Sequence, residues 1–102
     1  MAAKILVLYP QPENPAAFDK YYFSTHVPLA RKIPHLRGMR FNAGAPTALM
    51  GTAPFLIAEL EFDSMSELQE AMASPEGQAT AADVPNFATN PPTLLVYETR
   101  QD

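Results

Sequence analysis

Phe18, Tyr22 and His26 recur at four-residue intervals in the segment from Phe18 to Pro34. On a continuous helix that spacing places all three on one face. A histidine at the end of such an aromatic stripe can move a proton, because its unperturbed pKa lies near neutrality. The same pattern suits a core histidine with both ring nitrogens satisfied, so the stripe marks a candidate site before it marks an activity. Tyr21 and Tyr22 are neighbours and face about 100° apart, so one of them shares the His26 face. Spacing selects Tyr22, which would position a substrate or donate to a developing oxyanion; the alternative is a packed ring with its hydroxyl bonded. Ser24 stands two residues from His26, on a different side of the helix, and is no nucleophile by itself.

Asp83 is a carboxylate in an alanine-rich stretch. Buried there it needs a partner, and the sequence leaves two choices: an ion pair with Arg31 or Arg40, or the orientation of His26. His35, between Pro34 and Leu36, reads as an exposed turn residue. Glu59 and Glu61 read as a solvated or interface edge, and Arg40 and Asn42 as the polar face of a strand. Phe18, Phe23, Met39, Phe41 and Leu60 are the apolar residues expected to bind a carbon skeleton and exclude water.

Composition removes several classes of chemistry. There is no cysteine, hence no disulfide, thiolate metal site or cysteine nucleophile. His26 and His35 have no carboxylate at ligand spacing, which argues against a metal. The four glycines form neither a GxGxxG nor a Walker pattern, so no nucleotide cofactor is expected. A formal charge of −4, with Lys and Arg totalling 7, disfavours nucleic acid as a partner. No apolar run approaches the roughly 20 residues of a membrane span. The start of the chain shows no basic leader or cleavage site before Ile5–Tyr9. A soluble cytoplasmic protein of one domain, residues 1–102, is the expectation.

The positioning elements follow from pattern. Ile5 to Tyr9 is a branched, apolar run closed by Pro10-Gln11-Pro12 and reads as a strand. Asn14 followed by Pro15 starts a helix that should run to about Thr25. Val27 precedes Pro28, which predicts a kink or break there and a short restart over Pro28–Lys32. Leu36–Ala43 and Pro54–Phe62 read as strands, with a small-residue loop between them. In the latter strand Leu56, Ala58, Leu60 and Phe62 share a face. Ser64-Met65-Ser66-Glu67 is a capping box for a helix carrying Leu68 and Met72. Pro75-Glu76-Gly77 should interrupt that helix before an alanine-rich piece over Gln78–Asp83, and Thr93–Thr99 closes the chain as a strand. The order βαββαβ fits a ferredoxin-like α+β sandwich, a four-stranded antiparallel sheet with its helices on one face. Strands one and four are apolar on both faces, where a half-exposed sheet should alternate. Their second face therefore calls for cover, and a homodimer supplies it.

Phe18-x-x-Tyr21-Tyr22-x-x-x-His26-Val27-Pro28-Leu29-Ala30, following a strand that ends in Tyr9-Pro10, resembles the EthD family of the dimeric α+β barrel superfamily. Ser74-Pro75-Glu76, Asp83-Val84-Pro85-Asn86-Phe87 and Leu94-Leu95-Val96-Tyr97-Glu98 fit the same pattern. The resemblance spans nearly the whole chain and implies a single EthD-like domain over residues 1–102. It implies His26 as acid/base, with Tyr22 and Asp83 beside it, in a cavity between helices and sheet. The activities it implies are varied: dehydration, cyclisation, isomerisation or decarboxylation of aromatic or polyketide-like molecules without a cofactor, or cofactor-free oxygenation. A non-catalytic protein that binds a small hydrophobic ligand or assists an oxygenase pathway is the rival reading.

Overall fold

Alternating burial along β1 (Ala3–Tyr9) sets the architecture: Ala3, Ile5, Val7 and Tyr9 are buried while the residues between them are half-buried. The computed structural model describes residues 1–101. After β1 come α1 (Pro15–Tyr21), a π turn (Tyr22–His26), α2 (Val27–Ala30), β2 (Gly38–Phe41) and β3 (Leu56–Phe62). Then follow α3 (Met65–Ala73), α4 (Pro75–Asp83), a 3₁₀ turn (Val84–Asn86) and β4 (Thr93–Glu98). The strands pair antiparallel in the order β2-β3-β1-β4, which is the ferredoxin-like arrangement. Register places Ile5 opposite Leu60, Val7 opposite Ala58 and Tyr9 opposite Leu56. These side chains form the floor on which the helices pack, joined by Phe18, Tyr22, Leu68 and Phe87 in one core.

Two helical expectations need correction. No break occurs at Val27, whose backbone is helical at φ −59° and ψ −43°. The chain instead widens into a π turn, in which the Val27 N–H donates to the Tyr22 carbonyl five residues back. A proline ring clashes with the carbonyl four residues before it. The wider turn relieves that crowding around Ser24 and lets the helix pass through Pro28. Nor do Pro75, Glu76 and Gly77 form an interruption: they are the first turn of α4, with Pro75 at its start. Ser74 alone separates α3 from α4. Its hydroxyl accepts from the Gly77 N–H at 3.0 Å and donates to the Ala71 carbonyl at 2.6 Å. β2 is also shorter than the Leu36–Ala43 run suggests: Gly38–Phe41 pairs in register with β3, and Arg37 and Asn42 on either side add one backbone bond each, to the Glu61 and Ile57 carbonyls.

β4 is exposed along its whole length. Leu94 and Val96 pair with Val7 and Ile5 on the helix side of the sheet, and Leu95 pairs with Leu6 on the opposite side. The doubly apolar character read in the sequence is thus an uncovered edge strand within one chain.

The sharp joint at Ser74 makes Gly77 irreplaceable in this packing. A Cβ there would overlap the Ala71 carbonyl oxygen, and backbone atoms cannot swing aside. Gly77→Ala should lower stability by about 2–3 kcal/mol through overpacking. Gly38, where an added Cβ meets nothing within 4 Å, is the control: Gly38→Ala should shift the urea midpoint far less.

Candidate functional site

The site grows from one buried carboxylate. Asp83 ends α4 and is 8% exposed, while its side chain accepts three hydrogen bonds. Tyr21 donates its hydroxyl to Oδ1 at 2.7 Å, Asn86 donates its amide to Oδ1 at 3.0 Å, and His26 Nδ1 lies 2.9 Å from Oδ2. Burial pushes the Asp83 carboxyl up. The bonds from Tyr21, Asn86 and His26 outweigh that and hold it below the ordinary carboxylate value. An ionised carboxylate can only accept, so His26 donates its Nδ1 proton and carries its free lone pair on Nε2. Among the described residues Asp83 makes no ion pair with Arg31 or Arg40; both arginines are exposed.

His26 is buried at the end of the π turn, its ring centroid 4.6 Å from that of Phe87 and 5.1 Å from that of Tyr22. Burial among these rings pushes its pKa below the ordinary value, and the bond and charge of Asp83 offset only part of that. The imidazole is therefore neutral at physiological pH. Among the described residues Nε2 has no hydrogen-bond partner, and the ring forms part of the wall of a cavity of about 130 Å³.

That cavity lies between the helices and the sheet floor. Few of its lining residues carry polar side chains: His26, Tyr22, Tyr9 and Thr80, whose hydroxyl already donates to the Glu76 carbonyl at 2.8 Å. Burial drives the Tyr22 hydroxyl well above its ordinary pKa, with Tyr9 adding to the effect. Tyr9 itself is pushed up to about 12 by burial. Both phenols stay protonated at neutral pH and are donors, not bases. Met39 and Leu60 line the cavity as well.

The remaining apolar candidates lie elsewhere. Phe18 is buried in the aromatic cluster, 5.4 Å from Tyr9 and 5.2 Å from Phe87 between centroids, outside the cavity wall. Phe23 is 45% exposed and borders a separate groove with Asp19 and Asn42. Phe41 packs against Phe23 and Tyr22 and is absent from the wall. Glu59 accepts from Lys4 Nζ at 2.9 Å on the far face of the sheet. His35 is exposed and bonded to Glu70 at 3.0 Å.

Four participants escaped the sequence reading. α-helical spacing turns Tyr21 away from His26. The π turn adds a residue to the repeat, so a residue five positions back comes round toward the histidine. Proline two residues after His26 was the available signal for that turn. Asn86 lies three residues after Asp83, on the 3₁₀ turn that closes α4. Tyr9 shares the helix-facing side of β1 with Ile5 and Val7, which strand alternation makes visible. Phe87 showed no pattern pointing to the histidine ring it covers.

With this geometry in place, similarity to known proteins is informative. Residues 10–91 match the family model described as the EthD domain. The chain is 46% identical over 94 residues to an uncharacterized 11.0 kDa protein in the thcB-thcC intergenic region of Rhodococcus erythropolis, covering 90% of this chain and 89% of that one. A crystal structure of an ethyl tert-butyl ether D (EthD) family protein from Bacillus halodurans superposes with a TM-score of 0.87 at 39% identity, over 98% of this chain and 100% of that one. A dimeric ferredoxin-like protein of unknown function from Thermobifida fusca shares the fold, with a TM-score of 0.70 at 15% identity over 97% of this chain and 92% of that one.

Two measurements check the site's electrostatics. Because the folded-state pKa of His26 lies below its ordinary 6.5, the unfolded chain takes up protons first as pH falls. Stability from the neutral ring is complete above the unfolded value and drains away below it, toward the folded one. Asp83, held below 3.8, keeps its contribution until the pH falls under that ordinary value. The urea midpoint should therefore drop as pH goes from about 7.5 to 5, and His26→Gln should flatten that slope. Tyr21→Phe removes one donor to the carboxylate and should lower the urea midpoint. With one competitor gone, Asp83 becomes a stronger acceptor for His26, so the His26 pKa measured by NMR should rise.

Proposed function

The chain belongs to the EthD family, and we propose that it is a small cofactor-independent enzyme that moves a proton beside a carbonyl on a hydrophobic molecule. The observation that carries this reading is the buried His26–Asp83 pair, 2.9 Å apart, with the imidazole in the wall of an apolar cavity. In the proposed step, His26 Nε2 takes a proton from the carbon next to the carbonyl. Asp83, bonded to Nδ1–H, stabilises the imidazolium that results. The electron pair released moves onto the carbonyl oxygen, where Tyr22, and Tyr9 beside it, donate to the enolate. His26 then returns the proton at the same or another position, or the enolate expels a leaving group. Isomerisation, dehydration and cyclisation all begin or end on such an enolate. Met39 and Leu60 hold the carbon skeleton and keep water out.

The proposal includes a homodimer. On the sheet face away from the helices, Leu6 and Leu8 of β1 neighbour Leu95 of β4, while Lys4 and Glu59 there neutralise each other. A second copy packed sheet to sheet would cover this face, as expected of a surface this apolar. Sedimentation equilibrium at micromolar concentration should return the dimer mass; a stable monomer would remove this part of the proposal.

Cyclohexanone is a suitable first test of the chemistry, since exchange of its α-protons in D₂O reports enolate formation and needs no second reactant. The protein should accelerate exchange over buffer, and His26→Gln should lose about 10²-fold or more. The variant keeps volume and one hydrogen bond while removing acid/base capacity. Equal exchange by a folded His26→Gln variant would refute the mechanism. A carrier that only holds a small apolar ligand would bind the ketone and leave its protons in place.

A further inference from the structure

Resting on the site reading above, the geometry points to a narrow substrate class: a neutral molecule whose reacting part is one compact ring or an equally compact branched group. Size comes first. A cavity of about 130 Å³ is slightly smaller than an apolar cavity of about 150 Å³ that accommodates one benzene. It encloses on the order of six to eight non-hydrogen atoms by that comparison. A second fused ring cannot go deeper, because the floor is the sheet itself: Ile5, Val7, Leu60 and Phe62 are at most 8% exposed. The back wall is equally fixed. Ala71 is fully buried, and Gly77 sits so close to its carbonyl that α3 and α4 cannot be squeezed further or parted without breaking their joint.

Charge narrows the class further. No Lys, Arg, Asp or Glu lines the cavity. An anion entering it would meet a neutral imidazole and two phenols while losing its water, with no cation to compensate. Asp83 stands behind His26 with its negative charge and repels an anion again. A cation fares little better, since the carboxylate is already saturated by Tyr21, Asn86 and His26. A carbonyl or hydroxyl, in contrast, finds a lone pair on His26 and donors on the tyrosines. Extended polycyclic molecules and carboxylates are thus selected against by two independent features of the same wall.

Met72 and Leu94 in the lining are 42% and 52% exposed, and Ala81 beside them is exposed as well, which places the mouth where α3 and α4 meet the edge of β4. Anything larger than the cavity must pass between them.

The experiment compares cyclohexanone with the two-ring ketone 2-decalone and the anion cyclohexanecarboxylate, by NMR titration of the full chain near neutral pH. Cyclohexanone should bind at least about tenfold more tightly than either, a ratio equal to about 1.4 kcal/mol. Ala81→Leu fills the cavity from an exposed position on α4 and should weaken cyclohexanone at least tenfold. Met72→Ala widens the mouth and should improve 2-decalone relative to cyclohexanone. Thermal melts check that both variants fold, and the wild-type ranking decides the matter in any case. Equal or tighter binding of 2-decalone or of the carboxylate, or no binding of cyclohexanone, overturns the inference. Binding of cyclohexanone without α-proton exchange leaves this inference standing and removes the proton-transfer reading. Exchange that runs equally fast on 2-decalone does the reverse.

Discussion

A single buried carboxylate ties the two helical segments of this protein together. Asp83 receives one donor from the end of α1, one from the π turn and one from the 3₁₀ turn after α4. Taking an ionised carboxylate out of water costs several kcal/mol unless its acceptor sites are filled. Here three donors fill them, and the arrangement only closes if the π turn, α4 and the chain after it hold their relative positions. The same bonds determine which nitrogen of His26 carries the proton. Structural and chemical roles therefore cannot be separated at Asp83: the interaction that docks α4 also leaves a basic nitrogen on the ring that lines the cavity.

Around this pair the aromatic side chains create the environment that assigns roles. Tyr9, Phe18, Tyr22 and Phe87 meet at centroid distances of 5.2 to 5.6 Å, mostly edge to face. Such contacts each add to stability beyond the area they bury, and together they exclude water from the histidine ring. Dry surroundings disfavour the charged form of every group, which lowers the imidazole pKa and raises both phenol pKa values. A neutral imidazole and protonated phenols thus follow from one physical cause acting on groups of opposite charge type.

The sheet contributes in two ways. Its helix-facing side gives a rigid floor, because β1 and β3 pair over their full length with Ala58 and Phe62 fully buried. Its edge strand β4 leaves Leu94 in both the cavity wall and the uncovered surface. Site and surface are consequently linked through one strand, and the access route to the cavity lies where the chain's own helices stop covering the sheet.

Much of this was determined by the sequence alone. Strand alternation in Ile5–Tyr9 and Leu56–Phe62 specified the buried faces, since a period of two admits only one apolar side. Asn14 and Ser64 marked helix starts because their side chains satisfy orphan amides, at 3.1 Å in both cases. Four-residue spacing brought Tyr22 beside His26. Other features were decided only in three dimensions. Whether Asp83 met an arginine or the histidine depended on where α4 lands, 57 residues along the chain from His26, and no local pattern encodes that distance. Tyr21 became a partner of Asp83 because Pro28 turned an expected break into a π turn. Phe18, Phe23 and Phe41, alike in composition, were sorted into core, outer groove and supporting contact by packing. Local sequence specifies which groups a segment presents. Tertiary structure decides which of them meet, because long-range contacts are chosen by the fit of whole faces and not by the spacing within one.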